Sequence, residues 1–122
     1  MIGSVLSALA ALSFLGLGAG SFVAPRALAE NYGVPAPDET SFAYVRALGA
    51  RDAVLGLIVL RFLMAKARGP LGATLALSAL VGASDFAIVY ASRGLVAKKN
   101  LAIHGAGTVG LLTLSGLVRA GL

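Results

Sequence analysis

The chain has 122 residues, 58% hydrophobic and 16 of them glycine, an apolar share of about 70% against roughly 45–50% in soluble domains. With only 12% charged residues and a mean hydropathy of +0.91, it cannot cover itself with polar surface, which excludes an ordinary water-soluble fold and points to an integral, multi-pass membrane protein whose partner is the lipid bilayer. The net charge of +5 does not imply nucleic acid, because the cations stand mostly at the ends of apolar runs, where they anchor to headgroups.

A bilayer core about 30 Å thick is crossed by about 20 apolar helical residues, and four runs qualify. The first, residues 2–24, carries no charge. Ala27-Leu28-Ala29 behind it looks like a signal-cleavage site, but there is no basic segment ahead of the run and the run is too long for a signal core. The second run, 42–65, is interrupted by Arg46, Arg51, Asp52 and Arg61. The third, 70–92, holds only Asp85, and Pro70 suits the first turn of a helix. The fourth, 101–118, contains His104.

Short links between the later runs imply antiparallel neighbours, so the expected fold is an all-α, four-transmembrane-helix, up-down antiparallel bundle in one domain. Small residues at helical spacing, Gly16 with Gly20, Gly49 with Ala53, and Ala106 with Gly110, read as sites of close helix packing. Gly105-Ala106-Gly107-Thr108-Val109-Gly110 matches the GxGxxG dinucleotide fingerprint, yet only 12 residues follow it, none acidic. The second strand and its ribose-binding acid have no room, so these glycines too read as helix packing. Four basic side chains fall on each side of the bundle, Arg61, Lys66, Arg68 and Arg119 against Arg26, Arg93, Lys98 and Lys99, so the positive-inside rule selects no orientation. That balance leaves room for a homodimer.

The ionisable residues inside the apolar runs carry the information, since each costs a few kcal/mol at a helix centre. At about 1.5 Å per residue from the side of the 25–41 link, Arg46 lies about 6 Å deep, Arg51 and Asp52 about 14–15 Å, Asp85 about 10 Å and His104 about 6–9 Å. Three helices thus bring these groups to one half of the membrane, beneath a link that offers Tyr32, Asp38, Glu39 and Tyr44 as a lid or rim. Arg46 and Arg51 point about 140° apart on their helix, so one narrow stripe cannot hold both. Arg51 and Asp52 are adjacent and poorly placed for each other, which favours partners on other helices.

Such a set either fixes the register of the bundle through ion pairs or lines a pocket for a small hydrophobic ligand. The natural chemistry of that pocket is proton transfer of the isomerase, cyclase or hydrolase kind. Asp85 and His104 form the first acid/base pair and Asp52 the second acid. Arg46 or Arg51 stabilises a developing anion, with Tyr44 at the rim. One histidine and two aspartates make a thin metal-ligand set, and no metal or cofactor is expected. With no cysteine, thiol catalysis is excluded. Ser78, Ser84 and Ser115 form no nucleophile elbow and suit bonds to backbone or across helices. Two alternatives are a proton-coupled small transporter, with Asp52 or Asp85 as carrier, and a non-catalytic membrane scaffold.

The segment Arg46-Ala47-Leu48-Gly49-Ala50-Arg51-Asp52-Ala53-Val54-Leu55-Gly56, followed by Asp85 and His104-Gly105, resembles the DUF4267 family of small membrane proteins over nearly the whole chain. That family is similar in size and helix count to the DoxX-like four-helix proteins. The resemblance implies a bundle without a common activity, and treats Arg46, Arg51, Asp52, Asp85 and His104 as one set.

Overall fold

The computed structural model describes all 122 residues, Met1–Leu122. It is all-helical, with four long helices, one short helix and no strand: α1 (Ile2–Val23), α2 (Pro25–Tyr32), α3 (Glu39–Met64), α4 (Arg68–Arg93) and α5 (Lys98–Ala120), with a 3-10 turn at Gly94–Ala97. Each apolar run falls in a long helix whose ends shift by no more than three residues.

Local chemistry explains the shifts. Asp38 caps α3, its carboxylate accepting from the Ser41 backbone N–H at 2.8 Å, and Glu39 adds an acid to the first turn, so α3 starts before its apolar stretch. The 25–41 link is not wholly a loop: α2 occupies its first part. Pro25 opens α2, where a missing N–H is no loss, and Gly33 closes it at φ +111° in the left-handed region. A side chain at Gly33 would also drive its Cβ to 2.8 Å from that of Asn100 on α5.

α1 lies along α3 and α4 along α5, each pair antiparallel, and the pairs meet along α3–α4 and more narrowly along α1–α5. Gly49 and Ala53 form the closest part of the first pair. Gly18 faces both, and a side chain at Gly49 would collide with Ser21. Ser115 ties the second pair, its hydroxyl donating to the Gly72 carbonyl at 2.7 Å, while Ser78 and Ser84 bond to backbone carbonyls of their own helix. Two of the expected packing pairs are corrected: Gly16 and Gly110 face open space, as does Gly107 within the GxGxxG segment. Those glycines lie on outward or cavity-facing arcs of α1 and α5, away from the helix contacts.

At the end distant from α2 a core of Ala11, Val59, Leu71, Leu75, Leu114 and Val118 fills the bundle. Only 25 of 122 residues are buried, and large apolar side chains such as Leu12, Leu57, Leu80 and Val109 stand more than half exposed on all four long helices. Two helical stretches are long and apolar enough to cross a membrane, Ile2–Val23 and Arg68–Ala120, the latter being α4 and α5 with the turn between them. The charges of α3 keep it from meeting the same measure.

Candidate functional site

Between the two helix pairs, beneath α2, lies a cavity of about 210 Å³. Its apolar wall includes Phe14 and Leu17 of α1, Leu48 of α3, Val81 of α4 and Leu111 of α5. Its polar lining includes Asn31 and Tyr32 of α2, Arg51 and Asp52 of α3, Asp85 of α4 and His104 of α5.

Arg51 is the hub. Its Nη1 and Nη2 donate to the two oxygens of Asp85, at 2.9 Å each, in a two-pronged pair between α3 and α4. Its Nε and Nη2 also reach Oδ1 of Asp52, at 3.1 and 3.0 Å. The expected obstacle to an Arg51–Asp52 contact therefore falls: the guanidinium, long enough to curl back over its own helix, spans both carboxylates. The Asp85 side chain is 7% exposed and that of Asp52 14%, against 32% for Arg51. No buried side-chain polar atom lacks a partner. The second oxygen of Asp52 receives no hydrogen bond and is accessible, on a residue that lines the cavity.

α2 closes this arrangement from above. The Tyr32 hydroxyl donates to Asp85 Oδ1 at 3.3 Å, and its ring meets His104 edge-on with centroids 5.0 Å apart. Burial, helped by the Asp85 carboxylate, pushes the Tyr32 phenol up to about 12. His104 Nε2 lies 2.7 Å from the Tyr32 carbonyl. Since a carbonyl only accepts, Nε2 carries the proton, and in the neutral ring Nδ1 is the basic nitrogen. Asn100 donates to the Glu30 and Asn31 carbonyls at 2.7 and 2.9 Å, and Arg93 to that of Gly33 at 3.3 Å, so α2 is pinned to α4 and α5.

Of the sequence-predicted residues, Arg51, Asp52, Asp85, His104 and Tyr44 all line the cavity. Arg46 does not; it lies over the Phe42 ring, 5.9 Å from its centroid, on the far arc of α3. The 140° between the two arginines decides this, because Arg51 takes the inward arc. Tyr44 contributes its ring, while its hydroxyl donates to the Val34 carbonyl. Asp38 and Glu39 stay exposed and belong to the cap of α3, where the Ser41 hydrogen bonds hold the Asp38 carboxyl below its usual value. Asp85 and His104 share the cavity without a hydrogen bond between them: Asp85 is held by Arg51 and Tyr32, and His104 by backbone. No three His, Asp or Glu side chains gather closely enough to hold a metal ion. Sequence reasoning missed Asn100 and Arg93 as the anchors of α2, and the only signal for them was a polar cluster at the mouth of an apolar helix.

No curated protein and no solved structure matches the chain. The model of a domain of unknown function, DUF4267, matches residues 11–118, which include every residue lining the cavity. The chain belongs to the DUF4267 family.

Proposed function

We propose that the protein is a four-span membrane bundle, similar in plan to the DoxX-like proteins, that binds a small lipophilic molecule in the cavity beneath α2 and is suited to moving a proton on it. The membrane reading is supported by large apolar side chains exposed on every long helix, which a bilayer would cover and water would not. The single observation that carries the binding reading is a cavity lined by apolar side chains together with Arg51, Asp52, Asp85 and His104. Within that set, Asp52, with one unpartnered oxygen, and His104, through Nδ1, are the groups free to exchange a proton. Asp85 is a positioning residue that holds Arg51 in place.

The rim supplies a lateral mouth. Leu17 on α1 and Ile103 and Gly107 on α5 are exposed where the two pairs meet loosely, so a lipophile passes between acyl chains and cavity without crossing the aqueous face. The test is native mass spectrometry of the protein purified in mild detergent. Wild type is expected to retain a small lipophilic molecule that Gly107→Leu releases. If no lipophilic compound is retained or raises the melting temperature, and Asp52→Asn and His104→Ala both unfold the protein, the cluster is a device for helix register and the pocket reading falls.

A further inference from the structure

The charge count within the cavity wall selects among lipophilic ligands. Two carboxylates, Asp52 and Asp85, face one guanidinium, Arg51. Arg51 has five N–H donors. Four of its contacts already go to these carboxylates, from Nε once, Nη1 once and Nη2 twice, so little of it remains to clamp an anion. Asp85 is the more fully engaged: both oxygens accept from Arg51 and Oδ1 also from Tyr32, three of its roughly four acceptor positions. Asp52 is half filled, with Oδ1 held by Arg51 and Oδ2 accessible and without a partner, on a residue that lines the cavity. His104 has its one neutral-state proton on the Tyr32 carbonyl and presents an acceptor, not a donor, with the other nitrogen. Besides one N–H of Arg51 Nη1 and the side-chain amide of Asn31, the unfilled positions on the ionisable groups are acceptors.

Resting on the pocket reading above, we propose that the ligand is a small lipophilic amine, bound as its ammonium by Asp52 Oδ2, with its hydrocarbon part against Phe14, Leu17, Leu48, Val81 and Leu111. This reverses the role first expected of the arginine: Arg51 organises the two carboxylates and the ligand supplies the missing positive charge. The cavity of about 210 Å³ is smaller than the roughly 300–1,000 Å³ typical of drug-sized pockets, which suits a compact ligand.

The test uses hexylamine, hexan-1-ol and hexanoate, which keep the chain and change the charge, titrated into the full-length protein in neutral maltoside detergent by calorimetry. Gly107→Leu, which fills the mouth, measures partition into the micelle. Hexylamine is expected to bind about tenfold tighter than hexan-1-ol, since a charge-assisted hydrogen bond is roughly twice as strong as a neutral one, and hexanoate weakest. Asp52→Asn is expected to level the amine and the alcohol. The ranking on wild type stands without that variant, should it fail to fold. If hexan-1-ol or hexanoate binds as well as hexylamine, or if Asp52→Asn keeps the amine preference, the cation assignment is overturned while the cavity remains a lipophile site. If none of the three binds above the Gly107→Leu background, the assignment and the pocket reading fall together.

Discussion

The two ends of the bundle are built on different physics. At the end distant from α2, Val59, Leu71, Leu75, Leu114 and Val118 satisfy one another by filling space, with the buried Ser115–Gly72 hydrogen bond between α4 and α5 added to that packing. Beneath α2 the helices stand around a cavity and are joined instead by directed contacts: Arg51 to Asp52 and Asp85, Tyr32 to Asp85, His104 to the Tyr32 carbonyl. The difference teaches that the packed end supplies stability, while the other end holds its groups in place around a volume it does not fill. A binding site needs that division, since a cavity forfeits the contacts that would stabilise it.

The comparison is tested first at its strongest point. Leu75→Ala, at a side chain that is fully buried, should cost about 3–4 kcal/mol in reversible unfolding in detergent and leave the amine preference unchanged. A cost near zero would mean that the apolar end is not what holds the bundle. Asp85→Ala should come next, at about 3 kcal/mol, the lower end for orphaning a buried charge, because Asp52 still pairs Arg51. If it costs less than a surface substitution, the directed contacts under α2 contribute nothing and the two ends are alike.

Smaller effects sharpen the contrast. Tyr32→Phe removes a long hydrogen bond to a carboxylate and should cost about 1 kcal/mol. It should also change the alkaline limb. The folded-state pKa of Tyr32 lies above its ordinary value of 10.0, near 12, so the folded protein holds this proton more tightly than the unfolded chain does. Stability from this residue is complete below pH 10 and is lost as pH rises toward about 12. Melting temperatures across that window should fall in wild type and lose this component in Tyr32→Phe; equal slopes would show that the phenol is not buried under α2 beside Asp85. Gly107→Leu should move stability least, within about 0.5 kcal/mol, because nothing lies within 4 Å of the added Cβ, yet it should abolish ligand retention. A large loss of stability would mean that this arc of α5 is packed and not a mouth.

Hydropathy and chain length were enough to read the all-helical plan and the position of each long helix to within a few residues, because a run of apolar residues without turn chemistry has few other solutions. The level of the ionisable residues along the helices was readable too. Counting along the helices brought Arg51, Asp52, Asp85 and His104 to one level, and all four line one cavity. Helical angle warned that Arg46 and Arg51 could not both face inward, but gave no means to choose between them. That choice rests on which arc of α3 meets α1, set by the approach of Gly49 and Gly18. In a chain rich in glycine, close-packed glycines are indistinguishable by spacing from ones that face open space, as Gly16, Gly107 and Gly110 do.

Composition and periodicity therefore determined the helices, their order and the level of the charged groups, because each is a property of one segment measured along its own axis. The tertiary structure alone decided that Arg51 bridges two carboxylates, that Asp85 is the more fully engaged while Asp52 keeps an oxygen without a partner, and that α2 folds down so that the Tyr32 carbonyl meets His104. Those are distances between atoms on different helices, and they follow from how the helices rotate against one another, which depends on side-chain volumes meeting across the interface and is not encoded in any single helix.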